Sequence, residues 1–139
     1  MTNFAGPLED RIAIRELIDT YADATSHGDA ELWASLWAED GEWHFPHLPD
    51  IGTISGRNSL IEMWRVASSA YRNLSIIAAP GSMHIDGDAA TARVNLVETY
   101  EDPEGRAVHG RPSYVDRYVR RDGRWLIRER RSAPRTYRS

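Results

Sequence analysis

The 139-residue chain contains no cysteine. Disulfides, thiolate nucleophiles, cysteine-ligated zinc and iron–sulfur clusters are excluded with it. Lysine is also absent, and all 17 basic residues are arginine. Schiff-base chemistry and a lysine general base therefore have no residue to carry them. No apolar run approaches the roughly 18 residues that a membrane span requires. Neither a Gly-x-x-x-x-Gly-Lys phosphate loop nor a Gly-x-Ser-x-Gly nucleophile elbow occurs. Residues 1–7 carry no basic stretch and no apolar stretch, so no secretory signal is expected and the cytoplasm is the expected compartment.

What is present fits one soluble domain over residues 1–139, with its core over about 8–132: 41% of residues are hydrophobic and 27% charged. The net charge of −4 is uneven. Residues 1–70 hold 12 acids against 4 arginines, and residues 71–139 hold 9 acids against 13 arginines. The arginines of the second half alternate with apolar residues instead of forming a block. They read as the solvated face of a sheet, with neither nucleic acid nor membrane as a partner.

Ile14, Leu17, Ile18, Tyr21 and Thr25 recur at helical spacing and predict a helix over about 8–27, with Gly28 as its C-cap. Asp29 is a natural N-cap for a second helix carrying Leu32, Trp33, Leu36 and Trp37 and stopping at Asp40-Gly41. Trp43, Phe45 and His47 alternate as in a strand, and a loop containing Pro49, Gly52 and Gly56 follows. Ser59 with Glu62 reads as a capping box opening a third helix. Beyond residue 74 the period becomes two. Strands are predicted near 75–85, 89–101, 107–120 and 124–132, joined by turns at Asp86-Gly87, at 102–105 and at Asp122-Gly123. Helices grouped ahead of an antiparallel meander give an α+β fold with the helices on one face of the sheet.

Strand parity selects the candidate site. Ala92, Val94 and Leu96 share a face with Glu98 and Tyr100, so a carboxylate falls on the side that meets the helices. Pro112, Tyr114, Asp116 and Tyr118 share a face of the next strand. In the last strand Trp125 and Ile127 oppose Leu126, Arg128 and Arg130. Glu98 and Asp116, with one of these arginines and the tyrosine hydroxyls, form either a reactive constellation or a structural ion pair. Among the five histidines only His44 and His47 approach a metal-binding spacing, and a strand sends them to opposite faces, so no metal site is expected. His27 suits a helix C-terminus, and His47 shares the parity of Trp43.

Four stretches resemble one superfamily. They are Ala13-Ile14-Arg15-Glu16-Leu17, residues 34–43, Ile85-Asp86-Gly87-Asp88-Ala89 and residues 114–125. The chain is similar to the nuclear-transport-factor-2-like, or cystatin-like, superfamily, and within it to the SnoaL-like branch that includes scytalone dehydratase and hexachlorocyclohexane dehydrochlorinase. The resemblance implies a cone-shaped α+β barrel with one pocket, no cofactor, and a homo-oligomer, dimer or trimer. Trp125 and Ile127, outward by parity, would either sit in that interface or be ordinary core. The resemblance also implies that Tyr21, Trp43, Tyr114 and Arg130 fall on pocket positions. One departure stands out. The branch uses a His–Asp dyad as general base, and ungapped counting places the Asp position on Ser26 and the His position on Ile77 or Ile76.

The expectation is a cofactor-independent lyase, dehydratase or isomerase acting on a hydrophobic, aromatic or polycyclic small molecule. Glu98 would be the general base, and Tyr21 or Tyr114 the donor to the developing oxyanion. Ser26, Trp43, His47, Trp64 and Tyr100 would line the substrate, and Asp116 would hold Arg128 or Arg130 against an anionic group. The alternative is a non-catalytic small-molecule binder on the same fold.

Overall fold

The stripe of apolar residues from Ile14 to Thr25 forms helix α1 (Leu8–His27) in the computed structural model, which describes residues 2–133 and 137–138. Gly28 ends α1 at φ 68°, a left-handed backbone that suits glycine. Asp29 then caps α2 (Ala30–Ser35), its carboxylate accepting from Leu32 N at 3.1 Å. A third helix, α3, spans Arg57–Ser69.

Nine strands are present among the described residues: β1 (Phe4–Ala5), β2 (Trp37–Phe45), β3 (Gly52–Ser55), β4 (Arg72–Asp86), β5 (Ala89–Glu101), β6 (Ala107–Gly110), β7 (Ser113–Arg121), β8 (Arg124–Ser132) and β9 (Tyr137–Arg138). The sheet runs β1-β4-β5-β7-β8-β2-β3, with β6 against β5 and β9 against β6. β4, β5, β7 and β8 form the antiparallel meander. Its last turn is Asp122-Gly123, at φ 51° and 74°, the signature of a two-residue hairpin. The predicted α+β class holds, but the sheet is mixed, because β2 lies parallel to β8 and β1 parallel to β4. It curves around the helices without closing. No helix among the described residues is long and apolar enough to cross a membrane.

Four local differences from the sequence reading have physical causes. Trp33 and Trp37 stand at helical spacing, yet α2 ends at Ser35 and Trp37 begins β2. Backbone pairing with β8 outweighs the helix there. Ile127 N donates to Leu36 O at 2.8 Å, and Trp37 pairs with Ile127. Gly41 belongs to the same irregular stretch, where a Cβ would come within 2.9 Å of the Trp37 ring. Second, the expected loop contains β3, paired with β2 from Glu42 to Phe45. Third, α3 starts at Arg57 rather than at Ser59, and its N-terminus has no side-chain cap. Arg57 instead donates twice to Trp37 O, at 3.0 and 2.6 Å. Fourth, the long third strand breaks before Pro112, which has no N–H for a ladder, leaving β6 and β7 to pair with different halves of β5.

The most consequential difference is in β8. Tyr118 pairs with Ile127 and Arg117 with Glu129, so Arg128 is an extra residue in a bulge. The bulge reverses parity halfway along the strand. Trp125 and Ile127 point inward, and so do Arg130 and Ser132. The outward parity expected of Trp125 and Ile127 is thereby corrected, and of their two readings, partner interface or ordinary core, the structure has the core, since they are 6% and 0% exposed. Arg128 faces away from the core and pairs with Asp40 at 3.2 Å.

The core sits between the helices and the inner sheet face, where Ala90, Ala92, Val94 and Leu96 follow the predicted parity. An aromatic ladder crosses it. Trp64 stacks on Trp33 (5.3 Å between centroids), Trp33 meets Trp37 (5.6 Å), Trp37 stacks on Trp43 (5.7 Å), and Trp43 stacks on Phe45 (5.1 Å). Such pairs contribute about 0.5–1.5 kcal/mol each beyond area burial. The ladder leads from the helices to the wall of a cavity.

Candidate active site

The cavity has a volume of about 840 Å³, within the range of small-molecule sites. Trp43 and Phe45 of β2, Ile54 of β3, Met63 and Trp64 of α3, and Leu74 and Ile76 of β4 give it mostly apolar walls. Tyr21 of α1, Glu98 of β5, Tyr114 of β7 and Ser132 of β8 add polar groups. Exposed His47 and Glu62 also contribute to the lining. Six of the candidates read from the sequence therefore meet here: Glu98, Tyr21, Tyr114, Trp43, His47 and Trp64. Glu98 is 6% exposed and sits between Ile76 of β4 and Gly110 of β6 in the sheet.

Five candidates do not line this cavity. Tyr100 packs at a tilt against Tyr71, a lining residue, with centroids 4.2 Å apart. Arg128 is turned outward by the bulge. Ser26 lines a smaller neighbouring cleft that shares Thr25 and Trp64 with the cavity. Its hydroxyl accepts from Ile76 N at 2.8 Å and lies 3.4 Å from Ile76 O. Ile77 is 72% exposed, so Ile76 is the isoleucine that faces inward. Ser26 and Ile76 are thus spatial neighbours, and neither side chain can take a proton as a carboxylate or imidazole would.

Asp116 and Arg130, the other two, lie behind the cavity wall. Arg130 donates from Nε to Asp116 Oδ1 and from Nη2 to Oδ2, both at 2.8 Å. Tyr118 OH donates to the same carboxylate at 2.8 Å. Asp116 and Arg130 are 0% and 1% exposed. The guanidinium carbon stands 4.2 Å from the Tyr114 ring centroid, 4.3 Å from that of Tyr21 and 5.1 Å from that of Trp43. Nη1 has no hydrogen-bond partner among the described residues. Burial pushes the Arg130 proton affinity down, but the charge and hydrogen bonds of Asp116 together with Tyr21 and Tyr114 outweigh it, and the net shift is upward. Burial, reinforced by Asp116, also raises Tyr118 well above the ordinary phenol value. Arg130 therefore stays charged, paired with Asp116, with its guanidinium beneath the two tyrosine rings.

The sequence reading did not single out Ser132, although it shares the parity of Arg130. Trp43 Nε1 donates to its Oγ at 2.8 Å. An indole N–H can only donate, so the serine must accept there, and its own proton is left for another acceptor. Thr25, Phe45, Ile54, Met63, Tyr71, Leu74 and Ile76 were also missed as lining residues. Ile54 was hidden by the unrecognised strand β3. No pair of histidines assembles, but on the outer face of the sheet Glu42, His44 and Glu129 bring three potential ligand atoms within 4.8 Å of one another.

The sequence model of the SnoaL-like domain matches residues 6–131. No curated protein matches the sequence. Among solved structures, a nuclear-transport-factor-2-like protein with a cystatin-like fold from Novosphingobium aromaticivorans is 30% identical, covering 91% of this chain and 82% of that one at a TM-score of 0.73. A protein of unknown function from Mycobacterium tuberculosis is 29% identical over 92% of this chain and 75% of that one, with a TM-score of 0.76. The type 3 hexachlorocyclohexane dehydrochlorinase of Novosphingobium barchaimii is 20% identical over 91% and 86%, with a TM-score of 0.74, a likeness of fold.

Proposed function

Because the chain belongs to the SnoaL-like domain family, we propose that it is a cofactor-independent lyase or isomerase that moves one proton of a hydrophobic, aromatic or polycyclic substrate held in the cavity. The observation that carries this reading is Glu98, a carboxylate 6% exposed in a wall made mostly of apolar and aromatic side chains. Glu98 is the general base in place of the dyad. Tyr21 or Tyr114 donates to the oxygen on which charge develops, and Arg130 beneath both rings steadies that charge. Ser132 offers a further proton from the Trp43 side. In a lyase step the proton taken by Glu98 and a leaving group depart from neighbouring carbons. In an isomerase step the proton is returned elsewhere on the same ligand.

The test is mass spectrometry of aromatic and polycyclic ligands recovered after incubation with the protein, followed by Glu98→Gln on any compound turned over. Loss of water or another small fragment identifies a lyase. Unchanged mass with a shifted chromatographic retention identifies an isomerase. Glu98→Gln is expected to lower kcat by about 10²–10⁴-fold, and full activity in that variant removes Glu98 as the base. The second reading, a binder without chemistry, is favoured by the Ser26–Ile76 contact that occupies the dyad positions. A ligand retained and released unaltered in both mass and retention supports it.

A further inference from the structure

Glu42 and His44 stand two residues apart on β2, and Glu129 is the partner of Glu42 across the parallel β2–β8 pair. The bulge at Arg128 that turns Arg130 inward turns Glu129 to the outer face, behind the cavity wall. His44 Nε2 lies 2.9 Å from Glu129 Oε1 and 3.5 Å from Glu42 Oε2. Neither oxygen lies where a hydrogen bond to this nitrogen needs it. Nε2 is shielded from solvent and has no hydrogen-bond partner among the described residues. The other ring nitrogen, Nδ1, is 2.8 Å from Thr53 Oγ1 on β3. That contact fixes the ring and leaves Nε2 as its free donor atom, as the outer partners of metal-bound histidines do.

We propose that Glu42, His44 and Glu129 form a site for a divalent transition metal ion of the zinc type, which fastens β2 to β8 on the side of the sheet away from the cavity. Tetrahedral zinc with bonds of about 2.0–2.2 Å holds its ligand atoms about 3.3–3.6 Å apart. The 3.5 Å separation lies within that span, the 2.9 Å separation would open by a few tenths of an ångström on binding, and all three ligand atoms lie within 4.8 Å of one another. One imidazole and two carboxylates suit zinc and leave a fourth position for water. A protonated His44 between two carboxylates is the competing arrangement. The same distances suit that ion pair, and metal uptake distinguishes the two. Arg117 Nε, 3.8 Å from Glu129 Oε2, is the cation that a bound metal must outcompete for that carboxylate.

Calorimetric titration of Zn²⁺, as its chloride, into the untagged full chain at about pH 8 tests the site, because metal ions and protons compete for such ligands. One Zn²⁺ per chain with Kd of about 1–10 µM is expected. His44→Ala and Glu129→Gln should each weaken binding by about 100-fold or more. No uptake by the wild type, or uptake undiminished in both variants, overturns the proposal. If the variants do not fold, Co²⁺ added to the wild type decides. Intense visible bands of four-coordinate cobalt support the site, and the pale spectrum of the hydrated ion overturns it.

Discussion

Arg130–Asp116 and Arg121–Asp40 are the same chemical pair in two settings. Both are two-pronged, the first with two 2.8 Å bonds, the second with bonds of 2.7 and 3.2 Å. The first is enclosed by Tyr21, Tyr114 and Trp43 and receives Tyr118 as well. The second stands half in water, and Asp40 is shared with Arg128. In water the solvent replaces a lost partner, and exposed pairs contribute about 0.2–1 kcal/mol. In the enclosed setting nothing replaces it, and a widowed charge costs about 3–5 kcal/mol. The inner pair is thus a poor measure of net stabilisation but a strong constraint on what either residue can become.

The largest expected effect follows from that asymmetry. Asp116→Ala should lower unfolding free energy by about 3–5 kcal/mol, measured as a fall in the urea midpoint at unchanged slope. A loss below 1 kcal/mol would mean that water reaches Arg130. Next, Tyr118→Phe should cost about 1.5–3 kcal/mol, because it removes a hydrogen bond to a charged carboxylate while keeping the ring. The paired replacement Asp116→Leu with Arg130→Met sharpens the comparison. It should cost less than Asp116→Ala alone, since no unpaired charge remains, and a double-mutant cycle gives the coupling directly.

The smallest effect belongs to Asp40→Asn, at most about 1 kcal/mol at neutral pH. Its pH dependence has a definite sign. The hydrogen bond from Arg121, with the Arg128 and Arg121 charges, holds the Asp40 carboxyl below its ordinary value, although partial burial acts in the other direction. The folded state therefore binds the proton less readily than the unfolded state. The stabilisation is complete above the ordinary carboxyl range, near pH 4, and is lost as pH falls through the depressed folded value. Wild-type and Asp40→Asn melting curves should converge on acidification, and a gap that widens would contradict the assignment.

Much of this was legible in the sequence, for a reason that particular elements make plain. Helix α1 and strands β5 and β8 carry their own period and their own punctuation, Gly28 for one and Asp122-Gly123 for another, so their bounds needed no tertiary information. Glu98 was found by counting twos along an uninterrupted strand. Parity failed where a strand gained a residue. Nothing in the run of charged residues 128–131 marks Arg128 as the extra one, and only pairing with β7 reveals it. The same hidden step put Trp125 and Ile127 on the inner face together with Arg130, where counting twos had set them on opposite faces. β2 escaped because Trp33 and Trp37 mimic a helical stripe while belonging to two elements. The triad of Glu42, His44 and Glu129 joins two strands more than 80 positions apart, where no spacing rule applies.

The bulge also has a consequence for descent. Between Ile127 and Arg130 the strand carries one residue more than alternation needs. Losing the codon for position 128 would leave Ile127 opposite Tyr118 and Glu129 opposite Arg117 in a regular ladder, with Glu129 still outward and Arg130 still inward. Replacing Arg128 would alter one outward pairing and leave the interior alone. Related genes should therefore tolerate both replacement and loss of the residue at this position, because neither changes which side chains of β8 face the core.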